Sequence, residues 1–300
     1  MGTVRTPNAR STHTRPPLVL GTNLALFDST DHILNHPASQ RLLKRAQVPI
    51  IRMPFRSAQG DIWEVEALRA IQYIRAIPVV IVHGPADANA LTDDRQLIAL
   101  VRGVFGNSTV YVEFGNEPDL AGIDVERYVA TWNGVIPALK AMAPTYRFVG
   151  PAASGPDPTY IATFDRFANP PPDALSWHEY VCQPEDSDEY CIAHVDDWTT
   201  HIHAINQGVR GATGKTVPTM ITEWNLDARL DARFENPSFM LVWTRRALQT
   251  LAANQANGLI AAMQYCVASS RQFNLVDATG SLTAEGQVFF QTLSKSAAAS

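Results

Sequence analysis

The chain has 300 residues, of which 46% are hydrophobic and 18% charged, and its formal net charge is −5. That length and apolar content suit one large α/β domain with a sizeable core, and the acidic balance argues against nucleic acid, which selects basic faces. No apolar run reaches the roughly 18 residues a membrane span needs, so no membrane partner is expected.

Residues 1–16 are polar and basic, lack the apolar centre of a secretory signal, and are expected to form a disordered extension. On that reading the chain either stays in the cell or has had a signal removed. From Leu18 onward, short β-type runs alternate with longer amphipathic ones. The first strands are LVLGTNLALF from Leu18 and VPIIRMPF from Val48, followed by a helical pattern in DIWEVEALRAIQYIRA. IPVVIVHG from Ile77 precedes the helix DRQLIALVRGVF, and TVYVEFGNEPD from Thr109 precedes VERYVATWNGVIPALKAM. YRFVGPAAS from Tyr146 is followed by YIATFDRFA, and ALSWHEY from Ala174 by WTTHIHAINQGV. VPTMITEWN from Val217 leads to SFMLVWTRRALQTLAANQ, and GLIAAMQYC from Gly258 leads to a last helix in AEGQVFFQTLSK.

The strand runs are nearly continuous in apolar residues, as parallel strands covered on both faces require. The helical stretches repeat apolar residues at three- and four-residue spacing. Eight such pairs predict a single-domain (β/α)8 TIM barrel over residues 17–295, with 296–300 as a tail. A doubly wound sheet is the alternative, since alternation alone does not show closure. GTNLALF carries one glycine, which weakens a dinucleotide-binding reading.

The chemically suggestive residues fall at the C-terminal ends of these strands, the catalytic rim of such a barrel. They are Arg52, His83, Asn116 with Glu117, His178 with Tyr180, Glu223, and Gln264 with Tyr265. Alternation puts His178 and Tyr180 on the inner face and Trp177 and Glu179 on the outer one. Asn116 and Glu117 are adjacent, so both reach the rim only if Gly115 permits a bulge or an early strand end. Two glutamates at the mouths of different strands are what glycosidic cleavage needs: one donates a proton to the leaving oxygen, and the other attacks or activates water at the sugar carbon.

The set Arg52, His83, Asn116-Glu117, His178-x-Tyr180 and Glu223 resembles the retaining β-glycoside hydrolases of clan A, with families 5 and 39 (cellulases, mannanases, xylosidases) most similar. The resemblance spans the strand order from Val48 to Tyr265. It implies Glu223 as nucleophile, Glu117 as general acid and then base, and Asn116 as the partner of the sugar 2-hydroxyl. His83 and His178 would bind sugar hydroxyls or orient Glu117. Arg52 and Tyr180 would favour the ionised form of Glu223. Phe55, Trp63, Trp224 and Tyr265 are the candidate aromatic platforms for sugar rings, with barrel-to-helix packing the plainer reading of Trp177 and Trp224. The implied partner is a β-linked glycan, and two carboxylates supply the acid-base and nucleophilic roles with no cofactor and no metal. Many clan members carry a tryptophan after the eighth strand; here the run is MQYCVASS, so Tyr265 or Gln264 would serve instead.

Other features have plainer readings. Glu113 shares the parity of Glu117 deeper in the barrel, where a buried carboxylate needs a partner such as Arg52. Cys182 and Cys191 bracket QPEDSDEY and are placed to close a loop by a disulfide, while Cys266 reads as a buried small residue. His201 and His203 lie two apart in a helical pattern, which suits a surface helix better than a metal site. The acidic PEDSDEY stretch lacks EF-hand spacing and reads as a solvated loop. Asp119, Asn225 and Asp227 read as caps of the turns that follow the strands. Three rivals to a retaining two-glutamate hydrolase stay open: a carbohydrate-binding barrel without catalysis, a different, metal-dependent barrel hydrolase, and a transglycosylase using the same carboxylates.

Overall fold

The computed structural model describes residues 18–268 and 273–299; the expected N-terminal extension lies outside them. Eight parallel strands close on themselves in sequence order: β1 (Val19–Asn23), β2 (Ile50–Pro54), β3 (Ile77–Val82), β4 (Tyr111–Phe114), β5 (Arg147–Ala153), β6 (Ala174–Tyr180), β7 (Thr219–Asn225) and β8 (Leu259–Gln264). β1 pairs with both β2 and β8, which seals the barrel and removes the doubly wound alternative. The helices are α1 (His32–Asn35), α2 (Pro37–Arg45), α3 (Ile62–Ile74), α4 (Ala90–Phe105), α5 (Val125–Met142), α6 (Pro158–Phe167), α7 (Asp188–Ala193), α8 (Asp197–Thr213), α9 (Pro237–Ala253) and α10 (Ala284–Ala299). None of the described helices is long and apolar enough to cross a membrane.

Local chemistry sets the helix starts. Before α3, the Glu64 side chain reaches back to the Asp61 backbone N–H at 2.8 Å. Asp124 caps α5, Asp157 with Pro158 at the first position opens α6, and Asn236 with Pro237 opens α9. The core has two parts. Ile50, Val79, Val149, Ala174, Met220 and Met263 fill the barrel interior, and a larger cluster lies between strands and helices. The interior residues share parity with Arg52, Glu113 and His178, which puts those polar side chains above an apolar plug.

Several expectations change. α1 and α2 occupy a stretch with no element assigned from sequence, and α7 is a helical turn inside the expected acidic loop. α10 runs on to Ala299, through the segment expected as a tail. Cys182 and Cys191 are joined by a disulfide with a Cα–Cα distance of 5.1 Å. The acidic loop is not merely solvated: Arg233 binds Asp188 at 2.7 Å, and Arg229 binds Glu185 at 3.3 Å. Asp119 accepts from the Ser154 N–H and hydroxyl at 2.9 and 2.6 Å, joining two rim loops instead of capping a turn.

Candidate active site

The site is built on Arg52. Its guanidinium, fully buried in the barrel mouth, donates to Glu113 and Glu223 at 2.5 Å each. It also donates to Asn23 at 3.0 Å and to Asn116 at 2.6 Å. Burial alone would lower the Arg52 pKa, but the two carboxylates raise it, so the cation is permanent. Arg52 therefore has both expected roles, pairing with Glu113 below and with Glu223 above.

Glu223 faces the cleft because β7 is bulged. In the β6–β7 pairing, Trp177 opposes Ile221 and the next pair is His178 with Glu223, so Thr222 is the extra residue. Strict alternation from Met220, which faces the interior, would send Glu223 outward; one inserted residue reverses the phase. The Tyr180 hydroxyl donates to Glu223 Oε2 at 2.7 Å, and Arg52 holds Oε1. Burial pushes the Glu223 carboxyl up. The neighbouring His178 ring, the Arg52 guanidinium and hydrogen bonds from Tyr180 and Arg52 outweigh that effect and hold it below its ordinary value. Burial, reinforced by the Glu223 charge, raises the Tyr180 hydroxyl well above its ordinary value, so it remains a donor.

Glu117 arrives by a second irregularity. β4 stops at Phe114, Gly115 takes φ +81° and Glu117 itself takes φ +47°. The strained turn brings Asn116 and Glu117 to the rim together, the early strand end that adjacency demanded. A bulge in β5 holds it: Ala152 is the extra residue between Pro151 and Ala153, its N–H donates to Ser176 Oγ at 3.0 Å, and its carbonyl accepts the Glu117 N–H at 2.9 Å.

His178 lies between the two glutamates. Its Nδ1 is 3.0 Å from Glu117 Oε1 and 3.7 Å from Glu223 Oε2. Its Nε2 is 3.5 Å from Arg52 Nη2, which only donates, so a hydrogen bond there has Nε2 as acceptor and leaves Nδ1 to carry a proton toward Glu117. Glu117, His178 and Glu223 each present an atom within 4.8 Å of the others, the spacing of a metal site. Arg52 and Tyr180 already bind Glu223, however, and the guanidinium charge opposes a cation there.

Around this centre is a cleft of about 450 Å³ that also includes His83, Phe55 and Tyr265. A hydrogen bond to Asp94 raises the His83 pKa, while burial raises that of Asp94 at the cleft edge. Of the expected residues, Arg52, His83, Asn116, Glu117, Tyr180, Glu223 and Tyr265 line the cleft, with His178 directly beneath. Trp224 does not reach it. The indole is fully buried against Trp198 and Trp243, at centroid distances of 5.9 and 6.2 Å, because the bulge that turns Glu223 inward turns its neighbour outward. Gln264 is also buried, donating to Glu285 at 3.1 Å. Trp63 packs against the core. His201 lies part-exposed on α8, and its Nδ1 is 3.1 Å from the buried carboxylate of Glu179 on the outer face of β6, a pairing the sequence reading did not assign. The sequence reading missed Asn23, Phe27, Arg56 and Phe273. Only Asn23 carried a usable signal, as the terminal polar residue of a strand.

No protein-family model matches the chain, and no curated protein matches it by sequence. Solved structures with the same architecture exist. An α-L-arabinofuranosidase from Thermotoga maritima in complex with arabinose superposes with TM-score 0.71 at 14% identity, covering 94% of this chain and 70% of that one. A broad-specificity GH5-4 endoglucanase from an uncultured bacterium gives 0.58 at 13% identity, covering 92% of each chain. A GH128 oligosaccharide-binding protein from Trichoderma gamsii gives 0.55 at 17% identity, covering 97% of this chain and 99% of that one. At these identities the likeness is one of fold: the chain is a (β/α)8 barrel.

Proposed function

We propose that this protein is a retaining glycoside hydrolase acting on oligo- or polysaccharides, with Glu223 as nucleophile and Glu117 as general acid and base. The observation that carries the reading is the pairing across His178, which brings oxygens of Glu117 and Glu223 within 4.8 Å of each other. Carboxyl groups roughly 5–5.5 Å apart suit attack by one on the sugar, whereas inversion needs about 6.5–9.5 Å to admit water. Their environments also differ. Glu223 has a 2.5 Å contact to Arg52 and a lowered pKa, as an ionised nucleophile requires. Among the described residues no guanidinium pairs with Glu117, and its side chain is 29% exposed against 11% for Glu223.

In the first step Glu117 gives its proton to the glycosidic oxygen while Glu223 attacks the anomeric carbon and the aglycone leaves. In the second, Glu117 removes a proton from water, which displaces Glu223 and restores both groups. Arg52 holds Glu223 Oε1 and Tyr180 holds Oε2, which fixes the direction of attack. The Asn116 amide nitrogen remains for the sugar 2-hydroxyl, because its oxygen is held by Arg52. β-linked glycans are the proposed substrates, and the arabinofuranosidase likeness places α-L-arabinofuranosides beside them in the first screen.

The test compares wild type with Glu223→Gln on β-glucans, mannans, xylans, aryl β-glycosides and aryl α-L-arabinofuranosides, following new reducing ends. The anomer formed first is read by NMR. Turnover by wild type with retained configuration, lost by at least ~1000-fold in the variant, is expected. An inverted first product overturns the nucleophile assignment. The likeness to an oligosaccharide-binding barrel supports a second reading, binding without turnover, which predicts saturable glycan binding and no products from any of these sugars.

A further inference from the structure

One charged group in the cleft has no part in this mechanism. Arg56 follows β2 and lies exposed in the cleft wall beside Phe27, whose ring is 5.0 Å from the guanidinium carbon. Nε donates to the Leu26 carbonyl at 2.6 Å and Nη2 to the Ala25 carbonyl at 2.7 Å, which fixes one edge of the guanidinium. Both acceptors are neutral. Glu64 accepts from the Arg56 backbone N–H and not from the guanidinium. Other arginines near the rim are paired: Arg52 with Glu113 and Glu223, Arg229 with Glu185, and Arg233 with Asp188 and Asp231. Among the described residues no carboxylate pairs with Arg56.

We propose, resting on the hydrolase reading, that Arg56 is a substrate-binding residue that takes the carboxylate of a uronic acid unit, so that the substrate class is an acidic glycan. The Nη1–Nη2 edge is left for a bidentate carboxylate, the geometry a planar guanidinium serves best. The two carbonyls hold the side chain before substrate arrives, which reduces the ordering cost of binding. The group is close to the chemistry: the charges of Arg56 and Glu223 act in opposite senses on the Tyr265 hydroxyl, whose pKa is raised mainly by burial. An acidic unit bound there lies next to the sugar being cut. A neutral glycan can offer that edge only single hydroxyl acceptors, without the charge-assisted bidentate pair.

Calorimetry on the wild-type protein, with neutral oligosaccharides (cello-, manno- and xylo-oligosaccharides) and acidic ones (oligogalacturonates, oligomannuronates and glucuronate-bearing xylo-oligosaccharides), tests this directly. At least one acidic series is expected to bind tenfold or more tightly than its neutral counterpart, and the advantage is expected to shrink as salt is raised. Arg56→Gln is expected to reduce the acidic-to-neutral ratio by tenfold or more, and Arg56→Lys to restore part of it. Thermal melting of each variant separates lost binding from lost folding, and the wild-type comparison needs no variant. Acidic glycans that bind no better than neutral ones, or a ratio unchanged in a folded Arg56→Gln, overturn the proposal. Turnover of neutral glycans alone does so while leaving the hydrolase reading intact. Tight, Arg56-dependent binding of acidic glycans without turnover would instead sink the hydrolase reading and keep the Arg56 assignment.

Discussion

Arg52, Tyr180 and His178 give two nearby glutamates different surroundings. Of these three, Arg52 and Tyr180 hydrogen-bond the Glu223 carboxylate, and His178 contacts that of Glu117. The separation predicts a pH dependence. In the proposed mechanism attack needs ionised Glu223, so kcat/KM is expected to rise with pH through the pKa of that group in the free enzyme. Because that pKa is lowered, the acid limb of the profile is expected below the ordinary carboxylate range. Tyr180→Phe removes one hydrogen bond that favours the ionised form, which shifts the limb to higher pH. At the optimum, losing a hydrogen bond to a charged group, worth about 1.5–3 kcal/mol, lowers kcat/KM by roughly 10–100-fold. A pH–rate profile on one aryl glycoside reads both effects. A reduced rate with an unmoved acid limb means that Tyr180 positions substrate without tuning Glu223.

The two glutamates reach each other only because two strands are irregular. β7 spends one residue at Thr222 to turn Glu223 inward, and β5 spends one at Ala152 to supply the carbonyl that holds the Glu117 turn. Ala152 has φ +53° and is fully buried, a conformation that costs an L-residue about 1–2 kcal/mol. Ala152→Gly is therefore expected to be neutral or to stabilise by up to about 1 kcal/mol. Ala152→Val, which adds both β-branching and bulk, is expected to destabilise by about 2 kcal/mol or more, and urea melts of the two variants distinguish them. A Gly variant as unstable as the Val one would mean that the methyl contact matters more than the backbone strain. These bulges are also where sequence reading ends. The eight strands were legible because parallel strands buried on both faces are apolar throughout, and Glu113 under Arg52 was legible from parity. Bulges at Thr222 and Ala152 have no composition of their own, so sequence leaves Trp224 between packing and sugar platform, and its outward phase decides for packing. α7 was hidden inside a polar run, and the four-residue α1 was too short for its period to register. Arg56 and Phe273 entered the cleft from loops, where neither parity nor period applies.

At the scale of the molecule, barrel closure joins the first strand, the last strand and the last helix. Thr22 of β1 donates to Gln264 Oε1 of β8 at 3.0 Å, and Gln264 Nε2 donates to Glu285 of α10 at 3.1 Å. Glu285 is buried, and burial pushes its carboxyl up to about 8 against the lowering effect of hydrogen bonds from Gln264 and Asn225. A carboxyl with a raised folded-state pKa binds its proton more tightly folded than unfolded. Between its ordinary value of 4.5 and about 8 the native chain therefore carries a proton that the unfolded chain lacks. In that window stability falls as pH rises: the contribution is complete below the ordinary value, declines through the folded value and is gone above it. The amount is on the order of a few kcal/mol. Glu285→Gln keeps the shape and the hydrogen-bonding capacity of the protonated acid but cannot ionise. The variant is expected to match wild type near pH 5 and to exceed it in stability near pH 9. Groups elsewhere, such as His83 and His201, titrate in both proteins and cancel from the difference. Urea unfolding of the pair at pH 5, 7 and 9 measures it. A difference that stays constant across that range means that the seam between β1, β8 and α10 accommodates an ionised Glu285, and that closure of the barrel does not depend on its proton.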